Sequence, residues 1–233
     1  MSDRIAELVK KAIPSIAEGN CALDAEDCGE PLVDITGAHP RIVYDATYHK
    51  WGIAHAMTRC YVRQGVYERL LKALALLPDE YGFLIYDTLR PLAVQQALFD
   101  EYYGRLAAQH PELSHEELVR RTSEFVARPT KDRLRPSTHQ SGGAVDLTLT
   151  FGGEPLDMGT AFDEFAPIAH ADYFECIGDN PAVRDNRRIL HNVMRAAGFT
   201  HYPGEWWHFD YGDRMWAGFA GVRPLYAYCA DIE

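Results

Sequence analysis

The stretch "STHQSGGAVD", residues 137–146, contains a histidine and an aspartate separated by two glycines. Gly142 and Gly143 allow the chain to fold tightly, so the side chains of His139 and Asp146 could converge. An imidazole and a carboxylate that meet in this way are two ligands of a metal site. The same residues also fit an ordinary turn that leads into a strand with a surface aspartate, and both interpretations stay open from this stretch alone.

A second stretch, "EWWHFDYG" at residues 205–212, places a glutamate three residues before a histidine. Its aromatic, alternating character predicts a strand, with Glu205 at the mouth and His208 inside; a packed core with a satisfied histidine is the alternative. Together, His139, Asp146 and His208 form a set of two imidazoles and one carboxylate, which suits a catalytic zinc with a fourth position open to water. Glu205 adds a carboxylate outside that set that can accept a proton from the water.

The surrounding sequence predicts the elements that hold these residues. Apolar residues at helical spacing predict a helix over 65–77, and an aromatic and β-branched run predicts a buried strand over 81–87. Pro91 and a capping box of Ser114 with Glu117 each begin a helix, and Gly198 ends another. The strand "AVDLTLTF" alternates, which places Asp146 opposite its apolar stripe.

Strands and helices are mixed, without a regular βαβ alternation or a glycine-rich phosphate loop, and this favours an α+β fold. We expect a mixed, mostly antiparallel sheet flanked by helices, with the zinc site in a cleft on the sheet. Residues 1–233 are interpreted as a single domain, with a helical extension at 1–28 and a tail at 218–233 to which we assign no role.

The bulk composition argues against several classes of partner and location. A formal net charge of -11 argues against a nucleic acid held through its phosphates. No window approaches the roughly 18 apolar residues of a membrane span, and residues 1–20 have no signal-peptide pattern, which predicts a cytoplasmic protein. The cysteines form no CxxC pair, so we expect reduced thiols and no thiolate zinc site; they are Cys21, Cys28, Cys60, Cys176 and Cys229.

Two motifs follow each other along the chain, "SxHxxGxAxD" and then "ExWH". They are matched by Ser137, His139, Gly142, Ala144 and Asp146, and by Glu205, Trp207 and His208. In this order they resemble the zinc D-Ala-D-Ala metallopeptidases, and within them most closely the VanX-type D-alanyl-D-alanine dipeptidases. "GEPLVDI", "YDTLRP", "DLTLT" and "MGTAFDEF" support that branch, and the resemblance runs from about residue 29 to 217.

The resemblance implies one zinc ion per chain, bound by His139, Asp146 and His208. It also implies that Glu205 is the general base and then the acid that protonates the leaving amine. Arg90 would correspond to the arginine that stabilises the tetrahedral oxyanion. The implied reaction is hydrolysis of the dipeptide D-Ala-D-Ala to two D-alanines.

For the substrate, the resemblance implies that Asp163 holds the free ammonium group and that Ser137 lies near the carboxylate end. Two other functions stay open: a D,D-carboxypeptidase acting on longer peptidoglycan peptides, and a non-catalytic zinc-binding module on the same fold. Asp163 argues against the first because an ammonium clamp suits a free amino end. Glu205 and Arg90 argue against the second because a structural zinc site needs neither.

Residue types alone support plainer interpretations for several positions. Asp163 could be an acid at the start of a helix. His191 and His201 are interpreted as surface or capping residues, whereas Tyr44 and Tyr48 are candidates for substrate contacts.

Overall fold

A computed structural model describes residues 3–17, 19 and 21–229. Its α-helices are α1 (Asp3–Val9), α2 (Thr47–Lys50), α3 (Gln64–Ala75), α4 (Leu92–Gln109), α5 (His115–Thr122), α6 (Tyr173–Ile177), α7 (Pro181–Ala197) and α8 (Arg214–Ala220). Its strands are β1 (Leu32–Asp34), β2 (Ile42–Tyr44), β3 (Tyr61–Arg63), β4 (Tyr81–Asp87), β5 (Ala144–Phe151), β6 (Glu154–Pro155), β7 (Thr200–His201) and β8 (His208–Asp210).

The main sheet has the strand order β2-β4-β5-β8-β7, with β6 pairing β5 at one end. β2 and β4 are parallel, and the other pairs of this sheet are antiparallel. β1 and β3 form a separate antiparallel pair. The expected α+β fold with a mixed, mostly antiparallel sheet is therefore confirmed.

The central strands carry the core that fixes this sheet. The stripe expected on β5 includes Leu147 and Leu149, which are completely buried and lie opposite Ile85 and Phe83 of β4. The other face of β5 is covered as well, because Thr148 is only 1% exposed. Asp146 consequently points into the protein and not into solvent.

Several helix boundaries match the signals in the sequence. Pro91 immediately precedes α4, and the Ser114 hydroxyl accepts a hydrogen bond from the amide of Glu117 at 3.2 Å. Gly198 ends α7 with a φ of 105°, in the left-handed region that glycine tolerates. No helix of the described residues is long and apolar enough to cross a membrane.

Three local expectations were wrong. The last strand is only β8, because Trp206 and Trp207 lie in a turn in which the amide of His208 donates to the carbonyl of Glu205 at 3.5 Å. Asp163 does not begin a helix and has a φ of 60°. His191 and His201 are buried, with Nε2 of the first 3.1 Å from Nδ1 of the second.

The structure adds detail at the two chain ends. Within the described part of the extension at 1–28, α1 is the one regular helix. The C-terminal tail packs beside the loop that carries His139: the amide of Cys229 donates to the carbonyl of Gln140 at 3.0 Å. The described part of the tail, residues 218–229, therefore supports this loop.

Candidate active site

Three neighbouring strands bring three polar residues into one row. Asp87 of β4 lies opposite Asp146 of β5, and Asp146 lies opposite His208 of β8. The register shifts between Ile85 and Asp87, and a bulge of this kind re-aims the side chain that follows it. Residues far apart in the chain are thus adjacent at one end of the sheet.

His139 reaches this row from a tight turn. Residues His139–Ser141 form a single 3-10 turn that ends at Gly142, whose φ is 72°. At Gly143, a Cβ atom would lie 2.6 Å from the carbonyl oxygen of Tyr211. The first glycine provides the left-handed backbone and the second permits close approach to the strand beside it.

His139, Asp146 and His208 are brought together as a buried cluster whose ligand atoms all lie within 4.8 Å of one another. Nε2 of His139 is 3.3 Å from one Asp146 carboxylate oxygen, and Nδ1 of His208 is 2.9 Å from the other. Burial alone would raise the pKa of Asp146, but the two imidazoles reverse this effect and lower it. The aspartate is therefore ionised, as a metal ligand must be.

In each histidine, the hydrogen bond made by one ring nitrogen determines that the other nitrogen faces the metal. Nδ1 of His139 donates to the carbonyl of Thr88 at 2.7 Å, which leaves Nε2 directed at Asp146. Nε2 of His208 donates to the carboxylate of Asp210 at 2.8 Å, which leaves Nδ1 directed at Asp146. Asp210 was not predicted from the sequence, although a residue two positions after His208 on a strand shares its face.

This cluster fits zinc. Two atoms bound tetrahedrally at zinc bond lengths lie about 3.4 Å apart, close to the 3.3 and 2.9 Å found here. Two histidines and a carboxylate are a donor set of catalytic zinc sites, which keep a fourth position open. The three residues line a cavity of about 640 Å³, so that position is accessible to a small ligand.

Glu205 lines the same cavity beside the cluster. One of its carboxylate oxygens is 4.0 Å from Nδ1 of His208, so it lies near the metal-binding atoms without joining them. Burial raises the pKa of Glu205 to about 8, although a bound dication would lower it again. A carboxyl group with a raised pKa is suited to exchanging protons near neutral pH.

Arg90 is held from three sides. Its Nε donates to Asp87 at 2.8 Å, and its terminal nitrogens donate to Gln95 at 2.9 Å and to the hydroxyl of Tyr48 at 3.3 Å. Burial alone would lower the pKa of this guanidinium, but the carboxylates nearby, Asp87 foremost, raise it. Arg90 is therefore a fixed cation, 3.9 Å from a carboxylate oxygen of Asp146.

Asp163 lies in the same cavity and accepts a hydrogen bond from the Tyr48 hydroxyl at 2.8 Å. Burial raises the pKa of its carboxyl to about 6, so at neutral pH it is mostly ionised. Tyr48 thereby connects Asp163 with Arg90. The other tyrosine candidate, Tyr44, donates instead to the carbonyl of Met57 at 3.1 Å.

Ser137 is the predicted residue that the structure does not bring to the cavity. Its hydroxyl donates to the side chain of Gln140 at 3.1 Å. Within the described part of the chain, Thr138 and not Ser137 lines the cavity. The site thus unites the predicted residues His139, Asp146, His208, Glu205, Arg90 and Asp163.

Comparisons with known proteins indicate the family of the chain. Residues 31–223 match the peptidase family described as "D-ala-D-ala dipeptidase". The chain is 32% identical to a D-alanyl-D-alanine dipeptidase of Synechocystis sp., over 84% of this chain and 87% of that protein. It is 30% identical to a protein of the same name from Escherichia coli, over 67% of this chain and 69% of that protein. A crystal structure of a mutant of the vancomycin-resistance D,D-pentapeptidase VanY with Zn(II) has a TM-score of 0.42 and 18% identity, covering 73% of this chain and 83% of that one. The chain belongs to the D-Ala-D-Ala dipeptidase family of peptidases.

Proposed function

We propose that this protein is a zinc-dependent dipeptidase that hydrolyses D-Ala-D-Ala to two D-alanines. The observation that carries the proposal is the buried cluster of His139, Asp146 and His208, which shares one cavity with Glu205. When bound, zinc would lower the pKa of a water molecule to about 7 and polarise the scissile carbonyl. Membership of the family supports the substrate class.

Glu205 is the proton carrier of the proposed reaction. Its carboxylate accepts a proton from the attacking water and then donates one to the amine that leaves when the peptide bond breaks. Its position outside the ligand cluster, 4.0 Å from His208, leaves it free for both steps.

Arg90 stabilises the negative charge that develops on the carbonyl oxygen as the amide is attacked. Its bonds to Asp87 and Gln95 fix the guanidinium before substrate arrives, so little reorganisation is needed during the reaction. Its location between the cluster of predicted zinc ligands and Tyr48 supports this role.

Asp163 binds the free ammonium group of the dipeptide, and the Tyr48 hydroxyl orients its carboxylate. An ionised carboxylate inside a largely buried cavity requires a compensating cation, and the substrate provides one. Ser137 at the substrate carboxylate remains part of the proposal, and it requires the hydroxyl to turn from Gln140.

The decisive experiment compares hydrolysis of free D-Ala-D-Ala with hydrolysis of its N-acetylated form by the zinc-loaded protein. A dipeptidase with an ammonium clamp should prefer the free form strongly, because acetylation removes the charge that Asp163 recognises. Equal rates on the two substrates would instead indicate a D,D-carboxypeptidase. Zinc binding without hydrolysis of either would indicate a non-catalytic module.

A further inference from the structure

Arg187 of α7 is buried, with 2% of its surface exposed, and its guanidinium is bonded to backbone alone. Nε donates to the carbonyl of Met158 at 2.8 Å. The two terminal nitrogens donate to the carbonyls of His170 at 2.7 Å and Ile168 at 2.9 Å. These three carbonyls bracket the segment that carries Asp163.

The charge of Arg187 has no ion-pair partner among the residues that the structure describes. The guanidinium instead lies over the rings of Phe174 and Trp206, 4.7 and 5.9 Å from their centroids. Burial lowers its pKa to about 10, so it is still a cation at neutral pH. The carboxylate of Asp157 offsets only part of the effect of burial and makes no direct ion pair. Burying a cation without a direct ion pair is costly, and core packing alone would be served better by an apolar side chain.

The segment between these carbonyls, residues 158–170, depends on hydrogen bonds from other elements because it contains little regular structure of its own. Apart from the 3-10 turn Pro167–Ala169, it has no helix or strand. Trp206 provides a second tie, since its indole N–H donates to the Thr160 hydroxyl at 2.7 Å. Asn186 holds the residue just before the segment, since its side-chain amide donates to the carbonyl of Asp157 at 2.9 Å.

We propose that Arg187 is a positioning residue that holds segment 158–170 so that Asp163 faces the cavity beside Tyr48. This inference rests on the proposed role of Asp163 in binding the substrate ammonium. An arginine is required because its planar fork serves three carbonyls at once, whereas a lysine has a single nitrogen. Arg187 itself does not touch the substrate, and it acts through the loop.

The test measures steady-state hydrolysis of D-Ala-D-Ala by the zinc-loaded wild type and by Arg187→Lys. The ammonium contact is equally present in the ground and transition states, so its loss raises KM and leaves kcat nearly unchanged. We expect KM to rise roughly 10-fold to 100-fold, because small misplacements have effects of this order. Zinc content should stay at the wild-type level.

Arg188→Lys is the matched control, because Arg188 lies on the same helix and is also bonded, to Glu175 at 2.7 Å and to the carbonyl of Val9 at 2.8 Å. We expect this variant to lower thermal stability without changing KM. A merely structural Arg187 would behave in the same way, and an unchanged KM in Arg187→Lys would overturn the inference.

Two further variants complete the test. In an Asp163→Asn background, Arg187→Lys should add no further rise in KM, because both changes act through one contact; additive effects would contradict the inference. Should Arg187→Lys not fold, Asn186→Ala removes an exposed hydrogen bond to Asp157 at the entrance to the segment, and an unchanged KM there counts against the inference. If the wild type does not hydrolyse D-Ala-D-Ala at all, the proposed function fails instead.

Discussion

The carboxylate of Asp210 accepts a hydrogen bond from Nε2 of His208 at 2.8 Å, on the side of the ring opposite Asp146. This bond fixes the orientation of the imidazole and keeps Nδ1 directed at the other predicted zinc ligands. Outer carboxylates of this kind also make a ligating histidine more basic. Asp210 is completely buried, so solvent does not weaken the interaction.

Replacement of Asp210 by alanine should weaken zinc binding about 10-fold to 100-fold, the usual effect of removing such a partner. The measurement is a competition titration against a chelator of known affinity, with the melting temperature of the metal-free protein as a check on folding. Asp210→Asn keeps an acceptor for Nε2 and should lose less. Wild-type affinity in the alanine variant would show that Asp210 does not support the ligand.

Glu205→Gln should lower kcat about 100-fold to 10,000-fold, the range expected when a general acid–base is removed. Zinc content should be unchanged, because Glu205 lies outside the ligand set. Elemental analysis and turnover on D-Ala-D-Ala measure the two quantities on one sample. His208→Ala is the contrasting variant and should lose zinc as well as activity. Substantial turnover in Glu205→Gln would remove the proposed base.

Arg90→Lys should lower kcat/KM roughly 100-fold to 1,000-fold, as loss of one preorganised donor does. Lysine retains the charge but cannot contact Asp87, Gln95 and the substrate oxygen together. Addition of guanidinium ion to an Arg90→Ala variant should restore part of the rate, whereas ammonium should not. A lysine variant with near wild-type kinetics would show that fixed geometry is unimportant here.

The central elements and the ligand cluster could be predicted from sequence because their signals are local. β4 and β5 have the predicted boundaries, since each is a run of apolar or alternating residues. His139 and Asp146 are close in the chain, and the glycines between them indicate the turn. The motif that contains Glu205 and His208 then identified the remaining residues through the family resemblance.

The supporting residues could not be predicted because their partners come from distant segments. Arg187 bonds carbonyls that lie 17 to 29 positions away in the chain, and no residue pattern marks a carbonyl as an acceptor. The Tyr48 hydroxyl donates a hydrogen bond to Asp163, which lies 115 positions further along the chain. The strand predicted from "EWWHFDYG" is shorter than expected because Trp206 and Trp207 lie in a turn, where the amide of Trp206 donates to the distant carbonyl of Ala169 at 3.0 Å, a tertiary contact that overrides local propensity.

The buried pair of His191 and His201 should make the protein sensitive to acid. Burial lowers the pKa of His191 to about 4 and that of His201 to about 3, from an ordinary value of 6.5. Below pH 6.5 the unfolded chain therefore binds more protons than the folded one, and stability falls as the pH drops toward these values. The loss between pH 6.5 and 4 should be on the order of 5 kcal/mol for the pair, because one pKa unit corresponds to about 1.4 kcal/mol.

Melting temperatures of the wild type and of His201→Gln, measured from pH 7.5 to 4, check this expectation. The glutamine keeps a hydrogen-bonding group near His191 but does not titrate, so the variant should lose less stability on acidification. Both proteins are measured without zinc, and the difference between their curves isolates the contribution of His201. Parallel curves would assign the acid sensitivity to other groups.

Gly143→Ala should destabilise both the fold and the metal site. The added methyl group would lie 2.6 Å from the carbonyl oxygen of Tyr211, and backbone on the neighbouring segment cannot move aside freely. Overpacking of this kind costs about 1–3 kcal/mol in the free energy of unfolding. Because Gly143 lies between His139 and Asp146, the same displacement separates two ligands and should weaken zinc binding.

Gly104→Ala is the matched control for this change. Gly104 lies within α4 with nothing within 4 Å of an added Cβ, so alanine there should stabilise the protein by about 0.5–1 kcal/mol. Urea unfolding and zinc titration of both variants measure the two effects. If Gly143→Ala binds zinc as tightly as the wild type, the close approach at Tyr211 is not what holds His139 and Asp146 together.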